Sequence, residues 1–357
     1  MSATHLYGII PTGDEVIFDV AGIDDDDDRV YSVPHGDIAA VVSASPLVDC
    51  RGLKREQAVH YLVTHQRVVE TVMRSFPVLP VKFGTPLRDV PEVRRLLARG
   101  ETLFRSTLRE FAGLVQLEVV VLWNLPEVLR EIGQEAAIVQ AKSEVTARTA
   151  TATITERIAI GQMAQVSLER HRAALRDRVL LPTLRDVALD VIVNPVMDDN
   201  MVANLALLVD QTSRRPLEQR LDVLDDEFGG RLRFRCVGPL PPYSFASVEV
   251  EVPSFEAVND ARQQLGLGEK GTPGEIKQVY RRLAGQWHPD HNPHNPEAET
   301  HMAMLNQAYN LLTRYAGSLM LAEENVRQAA CRFDRETVEK TLLIAIRRQE
   351  TLADGQC

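Results

Sequence analysis

The sequence contains no C-x-x-C, no membrane-length apolar run and no excess of positive charge, and each absence removes a class of function. Its four cysteines, Cys50, Cys236, Cys331 and Cys357, are scattered over 357 residues. That spacing offers neither a zinc site nor a disulfide framework, so reduced thiols in a cytosolic protein are expected. No stretch reaches the ~18–20 apolar residues of a membrane span. Residues 1–11 lack a basic region followed by an apolar core, so no secretory signal is expected. The formal net charge of −10 argues against general nucleic-acid binding, because neutralising phosphates needs a positive surface. No G-x-S-x-G, H-E-x-x-H or P-loop is present. What remains is an ordinary soluble composition, 45% hydrophobic and 25% charged, in a chain long enough for two or three domains.

The first ~125 residues alternate between the two periodicities. His5–Ile10, Val16–Val20, Arg29–Val33 and Ile38–Val42 are expected strands, separated by Gly, Pro and Asp turn signals. Asp24–Asp28, five consecutive carboxylates, read as a solvated loop tip, because like charges repel and calcium loops alternate their ligands. Leu53–Phe76 has helical spacing, with His65 on its apolar side as a satisfied core histidine. Val78–Gly84 is a strand that Pro80 marks as an edge or bulge; Val90–Ala112 is an amphipathic helix and Leu117–Trp123 a strand. Glu127–Val193 is expected to be mostly helical, kinked or divided at Pro182. Met201–Val209, Arg231–Val237 and Ser247–Val252 are strands, with a helix over Pro216–Phe228. Leu319–Gln349 carries an apolar stripe through Val326, Ala330, Phe333, Val338, Leu342 and Ile346 and is expected to be a helix packing back on the body.

The most informative stretch is Glu275–Asp290, EIKQVYRRLAGQWHPD. Thr272-Pro273 with Glu275 signals a capped helix start. Ile276, Val279, Tyr280, Leu283 and Trp287 form an apolar stripe, and Lys277, Arg281 and Arg282 supply a basic face. Pro289 disfavours helix at His288, and a second helical pattern follows through Met304, Leu305, Ala308, Tyr309 and Leu312. Helix, His288-Pro289-Asp290 and helix together resemble the J-domain, from about Phe255 to Tyr315. The resemblance implies docking on a DnaK-type chaperone and stimulation of its ATPase, with Lys277, Tyr280, Arg281, Arg282, His288, Pro289 and Asp290 as the chaperone-binding set.

A second resemblance rests on Leu6-Tyr7-Gly8, Phe76–Thr85, Leu117-Glu118-Val119 and Gly238–Phe245. These are similar to the GvpL/GvpF family of gas vesicle proteins over roughly residues 1–252, with Pro80, Lys82, Phe83, Gly84, Pro242, Tyr243 and Phe245 as family-motif positions. That likeness implies a ferredoxin-like arrangement in the second half, binding to the hydrophobic shell protein GvpA or other accessory proteins, and localisation to the gas vesicle within the cytoplasm.

The resulting expectation is an α+β chain of two ferredoxin-like/α+β modules joined by long helices, followed by an all-α J-domain-like module and a C-terminal helix. The domains are expected at 1–125, 126–252 (helical hairpin plus ferredoxin-like), 253–318 (J-domain-like) and 319–357. Gly266–Gly271 matches G-x-G-x-x-G by letters, but it follows a helical pattern and lies in no βαβ unit. His288, His291, His294 and His301 lack a fixed ligand spacing. No catalytic residue, metal or cofactor is expected, and the chain reads as a non-enzymatic assembly factor. The alternative is a minor structural component of the vesicle wall or nucleation complex with a degenerate J-like segment. An enzyme using the glycine or histidine stretch is a third reading.

Overall fold

A computed structural model describes residues 3–23, 29–45, 54–148, 153–288, 297–321 and 330–349. Asp24–Asp28, Cys50, Pro289, Asp290, His291, His294, Val326 and Cys357 lie outside the described residues. Contacts group the chain into two units that are not the four contiguous blocks expected: Met1–Glu110 with Ala246–Arg347, and Phe111–Phe245 with Arg348–Cys357.

The first unit opens with β1 (Ala3–Ile10), β2 (Ile17–Ala21), β3 (Arg29–His35) and β4 (Ile38–Ser45), then α1 (Arg55–Met73), β5 (Leu79–Pro80), β6 (Pro86–Leu87) and α2 (Val90–Glu110). The antiparallel sheet runs β2-β3-β4-β1-β5, with β6 also on β1. Partners on both edges bury every residue of β1, so it shows no apolar/polar alternation. The pairing of β1 with β4 skips between Leu6 and Gly8, a bulge that sets Tyr7 apart. Gly8 is needed there: a Cβ would lie 2.7 Å from Val78 Cγ1 and 3.2 Å from the Leu79 carbonyl oxygen. The strand expected over Val78–Gly84 shrinks to two paired residues, because proline cannot donate to a ladder. Gly84 then turns the chain at φ +80°.

The second unit comprises β7 (Leu114–Trp123), α3 (Leu125–Ile132), α4 (Ala136–Arg148), α5 (Ile154–Leu175), a π-helical turn (Arg176–Leu180), α6 (Leu181–Arg185), β8 (Asp190–Asn194), β9 (Met201–Asp210), α7 (Arg214–Phe228) and β10 (Leu232–Leu240). Its antiparallel sheet has the order β10-β7-β9-β8. With helices between its first and second and its third and fourth strands, this is the β-α-β-β-α-β ferredoxin-like connection. The ferredoxin-like arrangement therefore belongs to the second unit, while the first sheet has a different order. Strand β7, expected to close the first domain, is instead the centre of the second sheet, pairing with β9 and β10. Its buried Leu117 and Val119 pair across the ladder with Leu207 and Leu205 of β9, and Leu217, Leu221 and Leu224 of α7 are buried as well. The helical expectation for Glu127–Val193 stops short, since the β-branched run Val191-Ile192-Val193 is strand β8. Pro182 does divide the helices. Lacking an N–H, it ends the regular ladder, and the turn before it widens to π geometry.

The chain then returns to the first unit through β11 (Ser247–Glu251), α8 (Phe255–Gln264), β12 (Lys270–Gly271), α9 (Pro273–Trp287), α10 (Ala298–Leu321), β13 (Cys331–Arg332), α11 (Arg335–Glu339) and β14 (Leu343–Arg347). The C-terminal helix expected over Leu319–Gln349 is thus corrected. Helix α10 ends at Leu321, and the described remainder is two strands around one short helix. Asp334 caps that helix by accepting from the Thr337 N–H at 3.0 Å. Leu343–Arg347 then finds an open strand edge and pairs with all five residues of β11. The apolar spacing through Val338, Leu342 and Ile346 suits a helix, but an available β partner overrides it.

Candidate protein-interaction face

Helix α9 starts at a capping box. Thr272 Oγ1 accepts from the Glu275 N–H at 3.2 Å, and the Glu275 carboxylate accepts from the Thr272 N–H at 2.8 Å. Its apolar stripe meets α10 in register. Tyr280 donates from its hydroxyl to Asn306 Oδ1 at 2.7 Å and stacks on Tyr309 with ring centroids 4.1 Å apart. Trp287 stacks on His301 at 4.0 Å. Advancing along α9 therefore means retreating along α10, so the two helices are antiparallel. Ile276 is buried with Val258, Ala261, Leu265, Leu305, Ala308, Leu312 and Tyr315 of the same module. Tyr280 is a pillar of this helix pair rather than a free contact. His301 is held by the Trp287 ring.

Lys277, Arg281 and Arg282 lie exposed on α9 and form no ion pair among the described residues. Lys277 and Arg281 are four residues apart, a like-charge spacing that costs a helix about 0.2–0.5 kcal/mol. No ion pair among the described residues offsets that cost. His288 closes the helix half-buried and extended, at φ −59°, ψ 132°, as the residue before a proline must be. Pro289 and Asp290 lie outside the described residues.

The helical module is mounted on the first unit. Cys331, Phe333, Val338 and Leu343 complete its core. The Tyr315 hydroxyl donates to the Arg332 carbonyl, and Ile344 N–H donates to Ser318 Oγ at 3.3 Å. Val248 of β11 bridges to Val81, and Lys82 pairs with Glu249 at 2.8 Å. Arg99 of α2 donates to the Lys340 carbonyl at 3.2 Å. The basic face is therefore carried on a body that includes the N-terminal sheet.

The other singled-out positions fall in two places. Pro80 pairs with Gly8 on β1, Lys82 is the mount just described, and Phe83 is half-buried beside His5 and His65, with centroids 6.0 and 5.6 Å away. Pro242, Tyr243 and Phe245 lie in the second unit, where Phe245 N–H donates to the Pro242 carbonyl at 3.0 Å and its ring packs on Ile192, Ala206 and Leu208. These motif residues hold turns and strand ends; none of them joins the face on α9.

Sequence reasoning missed the partner of His65. Its Nδ1 lies 2.9 Å from His5 Nε2, and its Nε2 lies 3.1 Å from the Val81 carbonyl oxygen. A carbonyl can only accept, so His65 Nε2 carries the proton and its Nδ1 accepts from His5. Burial pushes the His65 pKa down to about 4, against the opposing pull of the Val81 bond. Burial, and then the neighbouring His65, hold His5 well below the ordinary imidazole value. The pair is neutral and structural. His5, in a strand with no polar alternation, was the only available signal.

Among the described residues no group of three or more His, Cys, Asp or Glu is placed to hold a metal, and no helix is long and apolar enough to cross a membrane. Gly266–Gly271 connects α8 to α9 through β12, with no strand before it.

Comparison with known proteins agrees with both parts of this description. The family model of gas vesicle synthesis protein GvpL/GvpF matches residues 3–247, and that of the DnaJ domain matches residues 260–316. Gas vesicle protein F of Dolichospermum flosaquae is 24% identical over 69% of this chain and 98% of its own, and that of Microcystis aeruginosa 25% over 68% and 98%. The crystal structure of GvpF from Anabaena shares the fold, with a TM-score of 0.56 over 68% of this chain and 98% of that one. Chaperone protein DnaJ of Chlorobium phaeobacteroides is 48% identical over 54 residues, 15% of this chain and 14% of the relative. The chain belongs to the GvpL/GvpF family of gas vesicle synthesis proteins and carries a DnaJ domain that its own C-terminal strands tie into the first structural unit.

Proposed function

We propose that this protein is a non-enzymatic gas vesicle assembly factor, acting at the gas vesicle in the cytoplasm, that binds the shell protein GvpA or other accessory proteins and brings a DnaK-type chaperone to them. The observation that carries this reading is the exposed Lys277/Arg281/Arg282 face beside His288, without ion pairs among the described residues and set in a helix pair. Such a face steers and orients an acidic partner. Shell subunits with exposed apolar strand surface seek any partner before incorporation. Tethering the chaperone and its client to one body raises the effective concentration of each for the other. ATP hydrolysis belongs to the chaperone.

Asp290→Asn and His288→Gln each test this. Stimulation of DnaK ATPase should be lost while capture of GvpA by the full-length protein is unchanged. Equal stimulation with and without the substitution removes the chaperone role. Stoichiometric retention on washed vesicles without DnaK binding supports a wall component instead.

A further inference from the structure

The second unit contains a cavity of about 550 Å³ lined by the end of β7, α3, α5, the π turn, the end of α7 and the start of β10. Its floor is apolar: Trp123, Val128, Leu175, Val179, Phe228 and Leu232. Of these, Leu175, Val179 and Phe228 are only half-buried, so part of their apolar surface stays open. The Trp123 ring is held in place. Its indole N–H donates to the Asp199 carbonyl at 2.7 Å, and the Arg172 guanidinium lies 5.7 Å from its centroid.

The rim carries three arginines, Arg170, Arg178 and Arg231, against one lining carboxylate, Glu131, in a chain of net charge −10. Arg231 reaches Glu131 at 2.6 Å. Arg170 has Glu135 at 2.8 Å, but that carboxylate also accepts from Ser167 and lies 2.9 Å from His171 Nε2, so one acid serves three donors. Arg178, exposed on the π turn, has no ion pair among the described residues. The adjacent Arg178 and Val179 of the π turn both line the cavity, and π turns of this kind recur at functional sites. One helical turn before Arg170, on the same side of α5, Val166 is 70% exposed. The apolar surface therefore continues past the mouth, which favours a length of chain over a compact small molecule.

We propose that this groove docks an acidic amphipathic segment of a partner protein, an apolar side chain seating on Leu175, Val179 and Phe228 while flanking carboxylates meet Arg170, Arg178 and Arg231. The site is in a different unit from the DnaJ domain.

Trp123 supplies the readout. The chain has two tryptophans, so Trp287→Phe leaves Trp123 as the sole emitter in the full-length protein. The probes are a synthetic helical peptide with Leu and Phe on one face and Glu on the other, and its counterpart with Lys for Glu. The Glu-faced peptide should give a saturable change in Trp123 emission, and the Lys-faced peptide none. Arg178→Glu, at an exposed position, should weaken the Glu-faced peptide about tenfold and improve the Lys-faced one. Ala174 of α5 also lines the cavity; Ala174→Phe, which fills it without changing charge, should abolish the response with thermal unfolding unchanged. Equal binding of both peptides, or no response to either, overturns the proposal. So does binding of the dye anilinonaphthalene sulfonate without binding of the Glu-faced peptide, which identifies a site for small amphiphilic anions.

Discussion

The two units bury their cores in opposite ways. The ferredoxin-like sheet of the second unit is built from consecutive segments, β7 through β10, whose apolar faces close on one another. The DnaJ helices of the first unit do not close alone: Cys331, Phe333, Val338 and Leu343 enter their core from beyond the matched domain, and β14 ties the same segment to β11. A DnaJ domain on a loose tether can turn freely. One whose core is finished by a strand of the host body keeps its basic face at a fixed orientation to that body.

Removing that closure is the strongest way to break the contrast. Phe333→Ala should destabilise the helical module by about 3–5 kcal/mol, since a buried aromatic leaves a cavity. Hydrogen exchange should quicken in α8–α10 and in β14 while the β7–β10 sheet keeps its protection. If only β13 responds, the helical core is self-sufficient. The next effect is pH-dependent and again confined to the first unit. His5 and His65 titrate below the unfolded imidazole value. The unfolded chain therefore binds more protons between about pH 6.5 and pH 4. The stability they contribute is present above pH 6.5 and lost as pH falls through that window, on the order of 3 kcal/mol for His65. Denaturant midpoints measured across this range should fall for the first unit, and His65→Gln should flatten that dependence.

Smaller changes sharpen the comparison. Thr272→Ala removes the cap of α9 and should cost about 1 kcal/mol, lowering chaperone stimulation only through fraying; circular dichroism melts and ATPase assays on the same sample separate the two. Lys82→Ala breaks an exposed pair with Glu249 and should cost no more than about 1 kcal/mol. Its use is as a test of the mount: a faster-tumbling DnaJ module in NMR relaxation, with no change in melting, identifies Lys82 as an orienting contact.

Much of this was legible in the residues. The capping box, the stripe from Ile276 to Trp287 and the proline after His288 specify α9 locally, and α10 follows from the same periodicity. Helices α1, α2 and α7 and strands β2–β4, β7 and β9 were found within a few residues, because each carries its own period. The misread segments share a cause. Leu343–Arg347 and Val191–Val193 are short apolar runs compatible with either period, and the strand edge that decides each is distant in sequence or supplied by a later segment. The basic face of α9 was visible as a spacing, but its lack of ion pairs among the described residues was not. The groove in the second unit was not foreseen at all, since its lining comes from six separate elements.

By itself, then, the sequence determined the local devices: caps, turns, the prolines that end ladders, the helical stripe and the three cations beside His288. Only the tertiary structure decided that β7 leaves the first domain for the second sheet, that His5 and His65 are hydrogen-bonded to each other, and that Leu343 of β14 enters the DnaJ core. Periodicity and capping act over a few residues and are written there. Strand partnership and core closure depend on which surfaces remain open once every other segment has folded.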